Sequence, residues 1–173
     1  ILSAVHLLTE QGMDIKAGII GDGPEMANLV KQASKDGITA NVKFHGFIET
    51  PEDTASVMKA SKVFVYAAAP LGGWALTPIE ANACGLPVIT SKAGTLGLNE
   101  VVEDGYNGLV ANGETADEIA EQIKVILSDD SKRATLSENS LEYASRYDWD
   151  QQTDALEVLY KKLLRSKSPS KKG

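Results

Sequence analysis

Residues 72–90, GGWALTPIEANACGLPVIT, hold the residue types and spacing best suited to chemistry in this chain. Two glycines loosen a loop, Thr77-Pro78 opens a short helix, Gly85 closes it, and the following PVIT reads as a strand. A glycine loop feeding a helix N-terminus leaves backbone N–H groups pointing outward, which suits an anion such as a phosphate. Glu80 stands one turn into that helix, and its spacing fits two roles. With Thr77 as N-cap and Pro78 at the first helical position, Glu80 completes a capping box. Alternatively, its carboxylate accepts hydrogen bonds from the two vicinal hydroxyls of a ribose. A second glycine pair, Gly21 and Gly23 in GDGP, follows a strand pattern and opens a helix. Either these glycines admit a phosphate to the backbone while Pro24 presets the first helical turn, or a tight turn simply needs glycine. The longer G-x-G-x-x-G pattern fails, because residue 26 is methionine.

Other side chains with chemical potential carry structural readings. Trp74 reads as a core anchor, and Trp149 as the residue that packs the last helix onto the domain. Cys84 is a small hydrophobe on the helix face that meets the sheet. His45 is a packed or edge histidine, and Lys92 an isolated, solvated lysine.

These residues must be positioned by elements that alternate. Residues 1–11 read as a helix ending at Gly12, 15–20 as a strand, and the stretch after GDGP as a helix to about Lys35. Strands follow at 42–47 and 63–67, with a helix at 52–60 between them. After the 72–90 unit come a short helix near 99–103 and a short strand at 108–110. Strands alternating with helices imply parallel pairing through crossover helices. The strands are near-continuous apolar runs, as expected where helices cover both sheet faces. From Glu114 the pattern is helical only. Thr115 and Glu118 have capping-box spacing, a second helix spans 131–146, and Asp148 to Gln151 repeats the cap spacing before a third. Leu156, Leu159, Tyr160 and Leu163 form the apolar stripe of that last helix. A doubly wound sheet of this kind binds ligands beyond the carboxyl ends of its strands. The loops 21–24, 46–51 and 67–77 lie there.

Length and composition agree with one α/β domain. The 173 residues are 43% hydrophobic and 24% charged, with a formal charge of −7. That charge argues against a nucleic-acid surface. Cys84 is the only cysteine, so no internal disulfide forms, and with two isolated histidines a zinc site has no support. No apolar run approaches the roughly 20 residues of a membrane span. A cytoplasmic location is expected. The chain opens in mid-pattern at Ile1, as a fragment of a longer protein would. The last residues, SKSPSKKG, read as a disordered basic tail over 166–173. Lys161, Lys162, Arg165, Lys167, Lys171 and Lys172 make that end a candidate for peripheral contact with anionic lipid at the inner membrane surface, at about 1 kcal/mol each. A solvated tail is the alternative.

Six separated stretches resemble one family. AGIIGDGPE, VKFHGFI, VFVYAAAP, LTPIEANACGLPVIT, NEVVEDGYNGLVANG and RYDWDQQTDALEVLYKKLL follow, in order, the C-terminal domain of retaining GT-B glycosyltransferases of the family 4 type. The resemblance covers about residues 1–165. It implies a Rossmann-like three-layer α/β/α domain with a parallel sheet and C-terminal helices, one half of a GT-B fold. It implies that the domain binds a UDP- or GDP-sugar for transfer of a hexose, with retention, to a hydroxyl acceptor held by a separate N-terminal domain.

By the same resemblance, Glu80 matches the second glutamate of an E-x7-E motif and holds the nucleotide ribose. Gly73, Trp74, Ala75 and Leu76 match the loop whose N–H groups meet the diphosphate. Gly21 and Gly23 match the glycine turn beside the donor, and Gly46 and Phe47 the loop near the base. Helix dipole and backbone donors make a metal or other cofactor unnecessary in principle. Two positions depart from the pattern. Gly72 stands where the first motif glutamate contacts the transferred sugar, and residues 67–79 contain no acid to replace it. Ala75 replaces a loop glycine. The family's phosphate-neutralising Arg and Lys belong upstream, after a first strand that precedes residue 1, so the fragment alone is expected to be inactive. Gly72 supports the alternative of a non-catalytic binding or regulatory domain. A sugar-nucleotide epimerase of the same fold is a third reading, though the matched motifs are transferase ones.

Overall fold

The computed structural model describes residues 1–66, 76–92 and 101–166. Its elements run α1 (Leu2–Glu10), β1 (Ala17–Ile20), α2 (Met26–Lys35), β2 (Val42–Gly46), α3 (Pro51–Lys59), β3 (Phe64–Val65), α4 (Thr77–Ala83), β4 (Val88–Ser91), β5 (Gly108–Ala111), α5 (Ala116–Ser128), α6 (Asp130–Ser145) and α7 (Trp149–Ser166). The alternation matches the sequence pattern, with boundaries shifted by one to three residues. The helix expected near 99–103 falls mostly outside the described residues, and its described end, 101–103, is a turn and irregular chain.

All described strand pairs are parallel. They form two ladders, β1-β2 and β3-β4-β5, so β1 and β3 each have a hydrogen-bonded neighbour on one side only. One apolar cluster spans both ladders. Ile89 of β4, Leu109 and Ala111 of β5, Val42 of β2 and partly buried Ala17 and Ile19 of β1 meet α1 (Leu2, Val5, Leu8) and α5 (Ile119, Ile123, Ile126). The opposite face of the β3-β4-β5 ladder carries Phe64, Tyr66, Val88 and Val110, which pack with Met58 of α3 and Ala81 of α4. Residues alternate between the two faces, as the period of a strand requires. β4 is buried at all four positions, with Val88 and Ile89 followed by the buried polar residues Thr90 and Ser91, as befits a strand covered on both faces.

Several local signals hold. Thr115 caps α5 through a full capping box, with its Oγ1 accepting from Glu118 N and Glu118 Oε2 accepting from Thr115 N, both at 3.3 Å. Asp148 Oδ1 accepts from the amides of Asp150 and Gln151 at the start of α7. The reading of Trp149 fails. Its side chain is 84% exposed, because α7 leaves the domain instead of folding back along it.

The turn between Val101 and β5 is organised by one buried residue. Asn107 Oδ1 accepts from Glu103 N at 2.7 Å, its Nδ2 donates to Val101 O at 2.9 Å, and its carbonyl accepts from Ser140 Oγ at 3.2 Å. Asp104 Oδ1 accepts from Val110 N at 2.9 Å. The DGYNGL stretch is thus the joint between the sheet and α6. Arg146, which ends α6, adds to that joint by lying over the rings of Tyr106 and Tyr143.

Candidate functional site

The ends of β1 and β2 are tied together. Gly21 N donates to Gly46 O at 2.8 Å, one residue past β1. The ladder slips between Ile19 and Ile20, so that Ile20 pairs with Gly46 and His45 has no opposite residue. The His45 ring then lies over Gly18, 3.2 Å from where a Cβ would stand, which makes His45 a packing residue. Gly21 and Gly46 have φ of 119° and 68°, values that favour glycine. The structure therefore gathers Gly21, Gly23, Gly46 and Phe47 at one edge. Phe47 is 75% exposed there, a bare ring suited to stacking on a planar base.

That edge is poorly made for phosphate. The Gly21 amide is spent on Gly46, and the Gly23 amide donates to Asp22 Oδ1 at 2.7 Å. Asp22 and Glu25 add two carboxylates to the same turn. Pro24 is not the first helical residue. Met26 N reaches back to Gly23 O at 3.1 Å, so Pro24 and Glu25 form a turn and α2 begins after them.

Glu80 sits in the first turn of α4, and the capping box expected with Thr77 does not form. The N-cap is Leu76, in helical conformation, with no side-chain cap bond. Helix entry one residue early puts Glu80 at the fourth helical position, and its amide donates to Leu76 O at 3.0 Å. A side chain there projects outward from the turn and cannot reach back to the N-cap amide. Pro78, Ile79, Ala81 and Asn82 are buried around it, whereas Glu80 is exposed. Among the described residues its carboxylate has no hydrogen-bond or ion-pair partner. Of the two roles open to Glu80, the structural one is vacant. Leu76 beside it is 58% exposed. Gly72, Gly73, Trp74 and Ala75 lie outside the described residues.

Asn82 of α4 and Cys84, which ends that helix, also bear on the site. Cys84 packs among Met58, Ala81 and Val88, and burial pushes its thiol up, against a smaller downward pull from Lys59. That is the behaviour of an inert core thiol. Asn82 is fully buried, and among the described residues neither amide atom has a hydrogen-bond partner. A buried amide without partners carries a desolvation cost of about 1–3 kcal/mol. Asn82→Ala removes that cost and improves helix propensity, at the expense of a small void. The expected result is a gain of about 1 kcal/mol and a rise in Tm of about 2–4 °C by thermal denaturation. A drop in Tm would mean that the amide is satisfied in solution.

With this geometry in place, the chain can be set beside known proteins. Residues 1–143 match the model of the group 1 glycosyl transferases. Over 170 residues the chain is 28% identical to D-inositol 3-phosphate glycosyltransferase of Corynebacterium urealyticum, covering 94% of this chain and 39% of that protein. It superposes on the HepE protein of Anabaena in complex with UDP with a TM-score of 0.78 and 28% identity, covering 92% of this chain and 44% of the other. The C-terminal domain of LpcC, a group 1 family glycosyl transferase from Francisella tularensis, shares the fold at a TM-score of 0.73 and 23% identity, covering 86% of this chain and 77% of that domain. The chain spans less than half the length of the curated relatives it matches, 42% and 39% for two of them. The order of parallel strands, the 72–90 stretch and these matches agree: the chain belongs to the group 1 glycosyl transferases.

Proposed function

We propose that this chain is the nucleotide-sugar donor domain of a hexosyltransferase. The observation that carries the reading is Glu80: an exposed carboxylate without a partner among the described residues, held by buried neighbours on α4, inside the stretch that resembles the family signature. Its two oxygens would accept the 2′- and 3′-hydroxyls of the donor ribose. Phe47, beside Gly46, would stack on the base. Phosphate capture would fall to the N–H groups of residues 73–76, since the amides of Gly21 and Gly23 are already engaged. No metal enters this scheme, because backbone donors meet the diphosphate.

The donor would be a UDP- or GDP-sugar. The likeness to HepE, in complex with UDP, supports the nucleotide class. In the longer protein, a separate domain would present an acceptor hydroxyl to the sugar. The anomeric carbon–oxygen bond to the diphosphate breaks, a new bond forms to the acceptor oxygen with retention, and the hydroxyl proton is lost. Preorganised donors stabilise the charge that develops on the leaving diphosphate.

Isothermal titration of the chain with UDP and with GDP tests the reading. Saturable heat with one of them is expected. Absence of heat with both, for this chain and for a longer chain that contains it, overturns it. Gly72, at the position of a motif glutamate, supports a second reading in which the domain binds without supporting transfer. Robust sugar transfer by the longer chain rules that second reading out.

A further inference from the structure

Helix α4 is too short to hold itself. It has seven residues and no side-chain cap at its start. A helix of that length is marginal in water, so packing must set both its place and its roll about its own axis. Two anchors fix the roll. Ala81 is fully buried in one cluster, with Met58, Leu86, Val88 and Val102. Ile79 belongs to a separate cluster, formed with Val101, on which Tyr66 and Tyr147 pack. Ile79 and Ala81 are about 200° apart around the helix, with exposed Glu80 midway between them. The direction of the Glu80 carboxylate therefore depends on how firmly both anchors are held. A group about 6 Å from the helix axis moves by about 1 Å for each 10° or so of roll, which is enough to break a hydrogen bond that must close to about 3 Å.

The Ile79 anchor draws on a residue far along the chain. Tyr147 lies in the junction between α6 and α7. Its amide donates to Ala144 O at 2.9 Å. Its ring centroid is 5.7 Å from that of Tyr143, and the two hydroxyls are 3.2 Å apart. Tyr143 is itself buried, with Arg146 lying 4.9 Å over its ring. Arg146 Nη1 meets Glu103 at 3.3 Å, and Gln152 Nε2 of α7 donates to Arg146 O at 2.8 Å. The junction is thus braced from both helices, and Tyr147 is a stiff aromatic wedge within it.

We infer that Tyr147 is a positioning residue for Glu80: braced against Tyr143, it holds the Ile79 side of α4 and so aims the carboxylate. Because aim matters only if Glu80 holds the ribose, this assignment rests on the function proposed above. It makes nucleotide affinity depend on a side chain outside the donor site.

Titration calorimetry with UDP and with GDP, run as a double-variant cycle, tests the assignment. Tyr147→Ala is expected to weaken binding about tenfold, less than loss of the carboxylate because Glu80 keeps both oxygens. In a Glu80→Ala background the same change should alter affinity by less than about twofold. Tyr147→Phe keeps the ring and should stay within about twofold of wild type. Ile126→Val, in the cluster between the sheet and α5, should lower Tm by about 1–6 °C with wild-type affinity, which separates loss of stability from loss of aim. Should Tyr147→Ala fail to fold, Tyr147→Leu carries the same cycle with an expected loss of about threefold. Wild-type affinity for the Tyr147 variant, or equal losses with and without Glu80, overturns the assignment. Amide hydrogen exchange without nucleotide adds an independent readout: residues 79–84 should exchange at least about fivefold faster in Tyr147→Ala, with α1 unchanged. Failure of the wild type to bind either nucleotide is a failure of the donor reading, whereas unchanged α4 exchange in a chain that does bind is a failure of this one.

Discussion

Truncation of Glu80 to alanine is expected to weaken nucleoside diphosphate binding about 100-fold, or about 2.7 kcal/mol, and to leave the melting temperature unchanged. The size lies just under the net value of two hydrogen bonds to a charged group, about 1.5–3 kcal/mol each, because the exposed carboxylate is well solvated in the free protein. The unchanged stability follows from the structure, in which the carboxylate is exposed and caps nothing. A capping glutamate would behave oppositely, with a stability loss of about 1 kcal/mol and little change in affinity. Glu80→Gln should fall between, because one oxygen acceptor remains but the charge is gone. Titration calorimetry and thermal melts of the same three proteins read both quantities. Affinity within twofold of wild type for the alanine variant removes Glu80 from the donor site.

The second large effect is structural. Gly108→Ala is expected to destabilise the domain by about 3 kcal/mol or more, with a fall in Tm of about 6–12 °C. Gly108 opens β5 opposite Val88, the first residue of the fully buried β4. A Cβ there would overlap the Val88 carbonyl oxygen and stand 2.8 Å from Val102 Cγ1. Neither neighbour can give way easily. Val88 N is held by Asn107 O at 3.2 Å, and Asn107 is itself fixed by its bonds to Val101, Glu103 and Ser140. Gly23→Ala supplies the contrast, since its Cβ would meet nothing within 4 Å and its φ is not positive. That change should stay within about 0.5 kcal/mol. Urea denaturation of both variants tests the pair, and equal midpoints would sink the packing account.

The same short pattern was read twice in the sequence, with different outcomes. Thr-x-x-Glu at Thr115 forms its capping box, because Thr115 is in extended conformation with the helix starting after it. Thr-x-x-Glu at Thr77 does not, because the backbone is already helical at Leu76. The spacing marks where a box is possible. The entry angle of the chain, set by the burial of Pro78 and Ile79, decides whether it forms. Trp149 teaches a related lesson: a large aromatic favours burial, yet its exposure depends on the direction in which α7 leaves α6, and no local pattern encodes that.

The order of helices and strands, their parallel pairing and the family were all legible from residue patterns, because period, turn chemistry and signature spacing are local properties of the chain. What the tertiary structure alone decided is which polar groups remain available. It consumed the Gly21 amide in a contact with Gly46, left the Glu80 carboxylate exposed and set Gly108 against the neighbouring strand. Whether a donor or acceptor is free depends on atoms that folding brings to it, and most of those lie many residues away in the chain.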